Sequence, residues 1–263
     1  MVDKAAERSL SINGCGIAMQ RAGKGEAMLF LHGANGASAW TGFFDILAQD
    51  FDLLVPEHPG FGRSDMPDWL DNIHDLAYFY AQFLRELDVP RVHIVGASIG
   101  GWLALEMAVR DTSRIASLSL IAPAGIHVKG VSKGDIFMWS YEEAMAHAIF
   151  DEKLRDAVLA RPRTADDMDL QLKNSYATAR VGWQPRLYDP HLHKWLHLIN
   201  VPTHLFWGVQ DRVIPVAYAD AFAALIPGAG KTILDECGHL PQLEKPGLLA
   251  QGIKDFISGR QGK

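Results

Sequence analysis

A doubly wound α/β architecture, with a mostly parallel sheet of about eight strands and an inserted helical cap, is the fold class this sequence predicts. Three observations predict it. Strand-like and helix-like segments alternate over residues 1–126 and again over 199–263. The β-prone run Val92-His-Ile-Val95 breaks at a glycine-flanked serine and continues in helix-compatible residues. Between His127 and Leu198 the alternation stops and helix starts cluster instead. The core domain is therefore drawn as 1–126 and 199–263, and the cap as 127–198, inserted after the sixth strand.

Taken in order, Ser11 to Gln20 reads as a hairpin, with Asn13-Gly14 supplying the left-handed backbone of a tight turn. Ala27 to Leu31 is a short apolar strand running into His32-Gly33-Ala34-Asn35-Gly36, small residues that let backbone approach a substrate. Phe51 to Pro56 is a strand feeding a loop that contains Gly60 and Gly62. From Asn72 to Leu87 apolar residues recur at helical spacing, with Asp71 as the expected N-cap. Ile115 to Ile121 alternates apolar residues with Ser117 and Ser119, as a strand does. In the cap, Ser140-Tyr-Glu-Glu143 and Thr164-Ala-Asp-Asp167 have the form of capping boxes. The second precedes a helix that presents Leu172, Tyr176 and Ala179 and stops at Gly182. Leu249, Ile253, Phe256 and Ile257 mark the final helix.

The segment Gly96-Ala-Ser98-Ile-Gly100 makes Ser98 a candidate nucleophile. A serine on a sharp strand-to-helix turn needs very small residues two positions either side, because strand and helix come nearly into contact there. Its hydroxyl is a poor nucleophile at neutral pH, so an imidazole, ordinarily titrating near ~6.5, must take the proton and later pass it on. His239, in Cys237-Gly-His-Leu-Pro241, is the candidate base, and Asp211, at the end of the apolar run from Thr203, is the candidate acid. The acid's part is to fix the imidazole tautomer and stabilise the imidazolium. The oxyanion of the tetrahedral intermediate needs two backbone donors. One is assigned to Ile99, the residue after the nucleophile, and the other to Ala34, with Asn35 as the alternative.

Four signatures, His32-Gly33, the loop Glu57-His-Pro-Gly-Phe-Gly-Arg-Ser64, the Gly96 to Gly100 turn, and the pair Trp207-Gly208…Asp211 and Gly238-His239, together resemble the α/β-hydrolase fold family. The resemblance covers nearly the whole chain. It points to the cap-bearing branch of esterases, lactonases, carbon–carbon bond hydrolases, dehalogenases, epoxide hydrolases and haloperoxidases, where the chain order is Ser, Asp, His. Dehalogenases and epoxide hydrolases of that family use an aspartate nucleophile, so serine at position 98 disfavours both. Some members place the acid after the sixth strand, but Ile121 to Gly125 holds no carboxylate.

Composition limits the partners. The chain has 263 residues, 48% of them hydrophobic, and a net charge of −6 without a basic stripe, which argues against nucleic acid and anionic membranes. Met1 to Arg8 is charged where a leader needs apolar residues, no apolar run approaches the ~18 residues of a membrane span, and two cysteines make no disulfide framework. A cytoplasmic monomer or homodimer acting on a small acyl compound is expected. His191, His193, His197 and His204 lack the ligand spacing of a metal site, and no metal or cofactor is expected. Cys237 is read as a small apolar residue beneath the histidine loop, Arg63 and Asp65 as an ion pair with His58 packed beside it, and His32 as orienting the oxyanion loop. The large apolar residues of the cap exceed what its own packing needs, and Trp139, Met145 and Trp183 are taken as substrate-binding.

The expected function is a serine hydrolase that cleaves small to medium carboxylic esters through an acyl-enzyme. Ala37-Ser-Ala-Trp-Thr-Gly-Phe43 resembles the segment after the oxyanion loop in hydrolases of ring-fission dienoates. This keeps carbon–carbon bond hydrolysis as an alternative, with Arg180 or Arg186 available for the substrate carboxylate. A ligand receptor with slow or no turnover is the third reading.

Overall fold

The computed structural model describes residues 6–259; of the charged start on which the expectation about a leader rests, residues 1–5 lie outside them. Eight strands, β1 (Ala6–Ile12), β2 (Cys15–Ala22), β3 (Glu26–Leu31), β4 (Phe51–Pro56), β5 (Val92–Ala97), β6 (Ile115–Ile121), β7 (Thr203–Gly208) and β8 (Gly230–Leu234), form one sheet in the order 1-2-4-3-5-6-7-8. β2 runs antiparallel to both β1 and β4, and every other pairing is parallel. The β1–β2 turn has φ 51° at Asn13 and 72° at Gly14, two left-handed residues whose twist matches that of the strands.

Parallel strands must be covered on both faces, and β5 and β7 are buried at every residue. On one face, α2 (Ile73–Glu86), α3 (Ile99–Arg110) and α7 (Ala217–Leu225) bury Tyr80, Phe83, Leu103 and Phe222 against Ile94 and Leu118. On the other, α1 (Gly42–Leu47) and α9 (Pro246–Ile257) bury Phe43, Phe44, Leu249 and Ile253 against Phe30 and Phe206. A short helix, α8 (Pro241–Glu244), precedes α9.

Between β6 and β7 lie α4 (Tyr141–Ala148), α5 (Glu152–Ala160), α6 (Ala165–Gly182) and two 3-10 turns at Leu192–Lys194 and Leu196–Leu198. Ser140 and Thr164 each accept the backbone N–H three residues on, and Glu143 and Asp167 reach back to complete the boxes. α5 has no counterpart in the sequence reading. Asp151 caps it, but residue 154, where a capping box has its carboxylate, is a leucine, and no residue of the helix is fully buried. No helix among the described residues is long and apolar enough to cross a membrane.

Three local expectations are corrected. The cap of α2 is Asn72, which accepts from His74 and Asp75 N–H, while Asp71 pairs with Arg180 at 2.9 Å. α6 buries Asn174, Ala177, Thr178 and Val181 and leaves Leu172 and Tyr176 71% and 56% exposed, because the helix meets the body through short side chains and a hydrogen-bonding amide. Arg63 pairs with Asp166 at 2.7 Å, not with Asp65, whose carboxylate accepts the N–H of Gly16 at 2.7 Å.

Candidate active site

Ser98 joins the C-terminal end of β5 to α3 with φ 54° and ψ −114°, a strained conformation for a residue with a Cβ. Backbone bonds hold it there. Its N–H donates to Ile121 O at 2.9 Å, and its carbonyl accepts from Trp102 at 3.1 Å and Ala124 at 3.0 Å. A Cβ on Gly96 would lie 2.6 Å from Gly100 O, and one on Gly100 would lie 2.0 Å from Leu31 O. The flanking glycines are therefore a steric requirement of the turn.

Asp211 follows β7 and His239 follows β8, so both side chains reach Ser98 from the carboxyl edge of the sheet, where open α/β sheets place their ligands. His239 Nε2 lies 3.0 Å from Ser98 Oγ, and His239 Nδ1 lies 2.7 Å from Asp211 Oδ2. A carboxylate only accepts, so the ring proton sits on Nδ1 and the Nε2 lone pair faces the serine hydroxyl. The other Asp211 oxygen accepts the N–H groups of Val213 and Ile214, each at 2.8 Å, which fixes the carboxylate. Gln210 ties the two loops together, its N–H on Cys237 O and its Oε1 accepting Cys237 N–H, both at 2.9 Å.

The loop after β3 passes beside the serine: a Cβ on Gly33 would lie 3.2 Å from Ser98 Cβ. Ala34 follows on that loop, and Ile99 opens α3, where the first N–H groups of a helix have no intrahelical acceptor. Behind the loop, a chain of hydrogen bonds has a fixed direction. The His58 N–H donates to His32 Nε2 at 2.9 Å, so His32 carries its proton on Nδ1 and donates to Gly33 O at 2.7 Å. His58 Nε2 donates to His32 O at 3.0 Å, leaving Nδ1 to accept from the Tyr80 hydroxyl at 2.6 Å. Both rings are fully buried and neutral; burial pushes His32 down to about 4 and His58 well below the usual imidazole range. His58 is thus part of the loop's support rather than packing beside it.

The expected substrate-binding residues are spread over the insertion. Met145 is buried on α4, one turn before Ala148, whose carbonyl accepts the N–H of His239 at 2.7 Å. Trp139 stacks on His147 with ring centres 4.1 Å apart, and the half-exposed Trp183 meets Phe137 edge-on and carries Arg186 3.9 Å above its ring. Arg186 also pairs with Asp135 at 2.9 Å, so it and Arg180 are both engaged with carboxylates of this chain. Sequence reasoning missed Glu244. Its carboxylate accepts Gly238 N–H at 2.8 Å and the N–H groups of Phe150 and Asp151 at 2.8 and 3.0 Å, joining the histidine loop to the insertion. Nothing in sequence separates it from an ordinary surface glutamate.

The thiol of Cys237 is buried and pushed up to about 12, mainly by that burial, which keeps it protonated. His74, Glu106 and Asp189 bring ligand-type atoms within 4.8 Å of one another. Arg110 Nη1 already lies 2.5 Å from Glu106 Oε2, so a cation of the protein sits where a metal ion would have to enter.

Residues 28–251 match the family model described as the alpha/beta hydrolase family. The dihydrolipoyllysine-residue acetyltransferase component of the acetoin cleaving system of Cupriavidus necator is 27% identical over 97% of this chain and 70% of its own length. The monoacylglycerol lipase ABHD6 of Bos taurus is 28% identical over 90% of this chain and 77% of its own. The 2-hydroxy-6-oxo-6-(2'-aminophenyl)hexa-2,4-dienoic acid hydrolase of Metapseudomonas resinovorans is 27% identical over 97% and 91%. Among solved structures, a membrane phospholipase A described as a bacterial virulence factor superposes with a TM-score of 0.82 at 25% identity, over 98% of this chain and 87% of the other.

Proposed function

Because this chain belongs to the alpha/beta hydrolase family and is an enzyme of that family, we propose that it cleaves small to medium carboxylic esters by a Ser98–His239–Asp211 mechanism. The observation that carries the reading is the pair of contacts at 3.0 and 2.7 Å that runs from the serine hydroxyl through the imidazole to the carboxylate. Ser98 Oγ attacks the ester carbonyl while His239 Nε2 takes its proton. The oxyanion is held by the N–H groups of Ala34 and Ile99, and the dipole of α3 adds to that field. His239 then gives the proton to the departing alkoxide, leaving an acyl-enzyme that water hydrolyses by the same two steps. Asp211 keeps its charge throughout and stabilises the imidazolium. Trp139, Met145 and Trp183 are proposed to bound the acyl side of the substrate.

Carbon–carbon bond hydrolysis of a ring-fission dienoate is the second reading, favoured by the likeness to the dienoic acid hydrolase over nearly the full length of both chains. It needs a cation for the substrate carboxylate. Arg180 and Arg186 would first have to leave Asp71 and Asp135. The test is a panel of nitrophenyl esters from acetate to decanoate, run beside a dienoate substrate, with Ser98→Ala as control. Serine-dependent turnover of esters above that of the dienoate is expected. Turnover of the dienoate alone would transfer the reading to the second reaction, and ester turnover surviving Ser98→Ala would end both.

A further inference from the structure

Asn174 stands out among the buried polar residues: it lies on α6, distant in sequence from every signature of the site, yet it is only 6% exposed. Its Oδ1 accepts the N–H of Gly62 at 2.7 Å, and its Nδ2 donates to the carbonyl of Asn35 at 3.0 Å. One amide therefore bonds two loops of the body. The loop of Asn35 carries Ala34, whose N–H is proposed to bind the oxyanion. The loop of Gly62, Glu57 to Ser64, underlies it.

The surroundings are built for this contact. Gly36, at φ 76°, leaves the space: a Cβ there would lie 2.9 Å from Asn174 Nδ2 and 3.0 Å from Glu57 Oε2. Glu57, 3% exposed, accepts the N–H of Ala37 at 3.1 Å and so holds the far end of the same loop. The neighbouring Lys173 donates to Ser64 O at 2.5 Å, and Arg63 reaches Asp166 at 2.7 Å, so α6 is anchored to the Gly62 to Ser64 end of that loop. At the other side of the site, Ala148 O and Glu244 tie the insertion to the histidine loop.

We propose that Asn174 is a positioning residue for the oxyanion loop, which couples the seating of α6 to the direction of the Ala34 N–H. The Asn35 carbonyl belongs to the Asn35–Gly36 peptide plane, two planes beyond the one that holds the Ala34 N–H, so fixing its oxygen limits rotation of the segment Gly33 to Gly36. A donor turned or moved by a fraction of an ångström stabilises a developing charge much less, while a neutral ground-state ester hardly senses the difference. The consequence falls on kcat rather than on KM. This inference rests on the serine-hydrolase reading for its kinetic part, but not for its structural part.

The experiment uses the full chain carrying Asn174→Ala, with Asn174→Asp as a second variant. An ionised aspartate keeps an acceptor for Gly62 N–H but sets a carboxylate oxygen against Asn35 O, so it replaces the bond to the oxyanion loop by a repulsion. On the best nitrophenyl ester, both variants are expected to lose about 10- to 100-fold in kcat with KM changed by less than about threefold. Inhibition by a trifluoromethyl ketone, whose adduct places an oxyanion at the same donors, should weaken in step with kcat. Amide hydrogen exchange in the segment 33–37 should speed up in both variants, with β5 and α3 unchanged. Kinetics and exchange equal to those of the unsubstituted protein, or an equal loss spread over KM and the whole sheet, would overturn the proposal. Faster exchange in 33–37 in a protein that turns over no ester would uphold the tie and defeat the serine-hydrolase reading instead.

Discussion

Ser98 shows how much of a site can be carried by one backbone conformation. Its positive φ is tolerated because Ile121, Trp102 and Ala124 bond its peptide groups and two glycines clear the approach. Under the proposed mechanism Ser98→Ala and His239→Ala each lower kcat by roughly 10³ to 10⁶, since the triad acts as a unit. Steady-state rates of the two variants check this, and a double variant no worse than either single one is expected. Glu57 makes a different prediction at this scale. Its Oε2 is buried with no hydrogen-bond partner among the described residues, and that burial pushes the carboxyl up to about 7. The folded state thus holds a proton that the unfolded chain releases near an ordinary carboxylate value. The stabilising contribution is complete below about pH 4.5 and is lost as pH rises through 7. Glu57→Gln mimics the protonated form. Its stability relative to the unsubstituted protein should rise between pH 5 and 8 and level off beyond, by about 3 kcal/mol in all. Urea midpoints at the two pH values measure it, and a difference independent of pH would contradict a buried, protonated Glu57.

At the scale of elements, α3 and α9 contrast in what their glycines do. Gly100, in the first turn of α3, packs against the backbone of Leu31 and His32, where a Cβ would lie 2.0 Å from one carbonyl oxygen and 2.6 Å from the other. Gly100→Ala forces β3 and α3 apart and is expected to destabilise by more than about 3 kcal/mol. Gly247, in the first turn of α9, has no atom within 4 Å of a built Cβ. Gly247→Ala should stabilise by about 0.4–1 kcal/mol, because the unfolded chain loses freedom and the helix loses nothing. Thermal melts of the two variants separate steric need from tolerance. Elements also show where reading by periodicity fails. The boxes at Ser140 and Thr164 were legible because capping is a local bond between residues three apart. The buried face of α6 was not: Leu172 and Tyr176 have the right spacing, but the partner surface is a pair of loops that accepts an amide and small side chains.

For the whole molecule, the sheet and its two covering layers hold most of the apolar burial, and the insertion joins the same core through Ala177, Val181, Leu187, Leu192 and Leu196, adding polar ties at Asn174 and Glu244. Phe206 in β7 is fully buried, so Phe206→Ala should cost about 3–5 kcal/mol. Leu172 is 71% exposed on α6, and Leu172→Ala should change stability by less than about 0.5 kcal/mol. Chemical denaturation of both variants tests this division. The alternation of strands and helices was readable across the chain because a β strand buried on both faces is mostly apolar, as β5 and β7 are apart from His93, Thr203 and His204. α5 escaped because its Asp151 cap lacks the reciprocal carboxylate three residues on that marks the starts of α4 and α6.

By itself the sequence determined the α/β body, its eight strands and the chain order of Ser98, Asp211 and His239, because strand composition, glycine at close approaches and turn chemistry are written locally. Only the tertiary structure decided which groups hold that site in place. The Tyr80–His58–His32 chain, the Glu244 carboxylate and the Asn174 amide join segments far apart in sequence. A hydrogen bond between such segments leaves no mark on either one until the fold brings donor and acceptor to 3 Å.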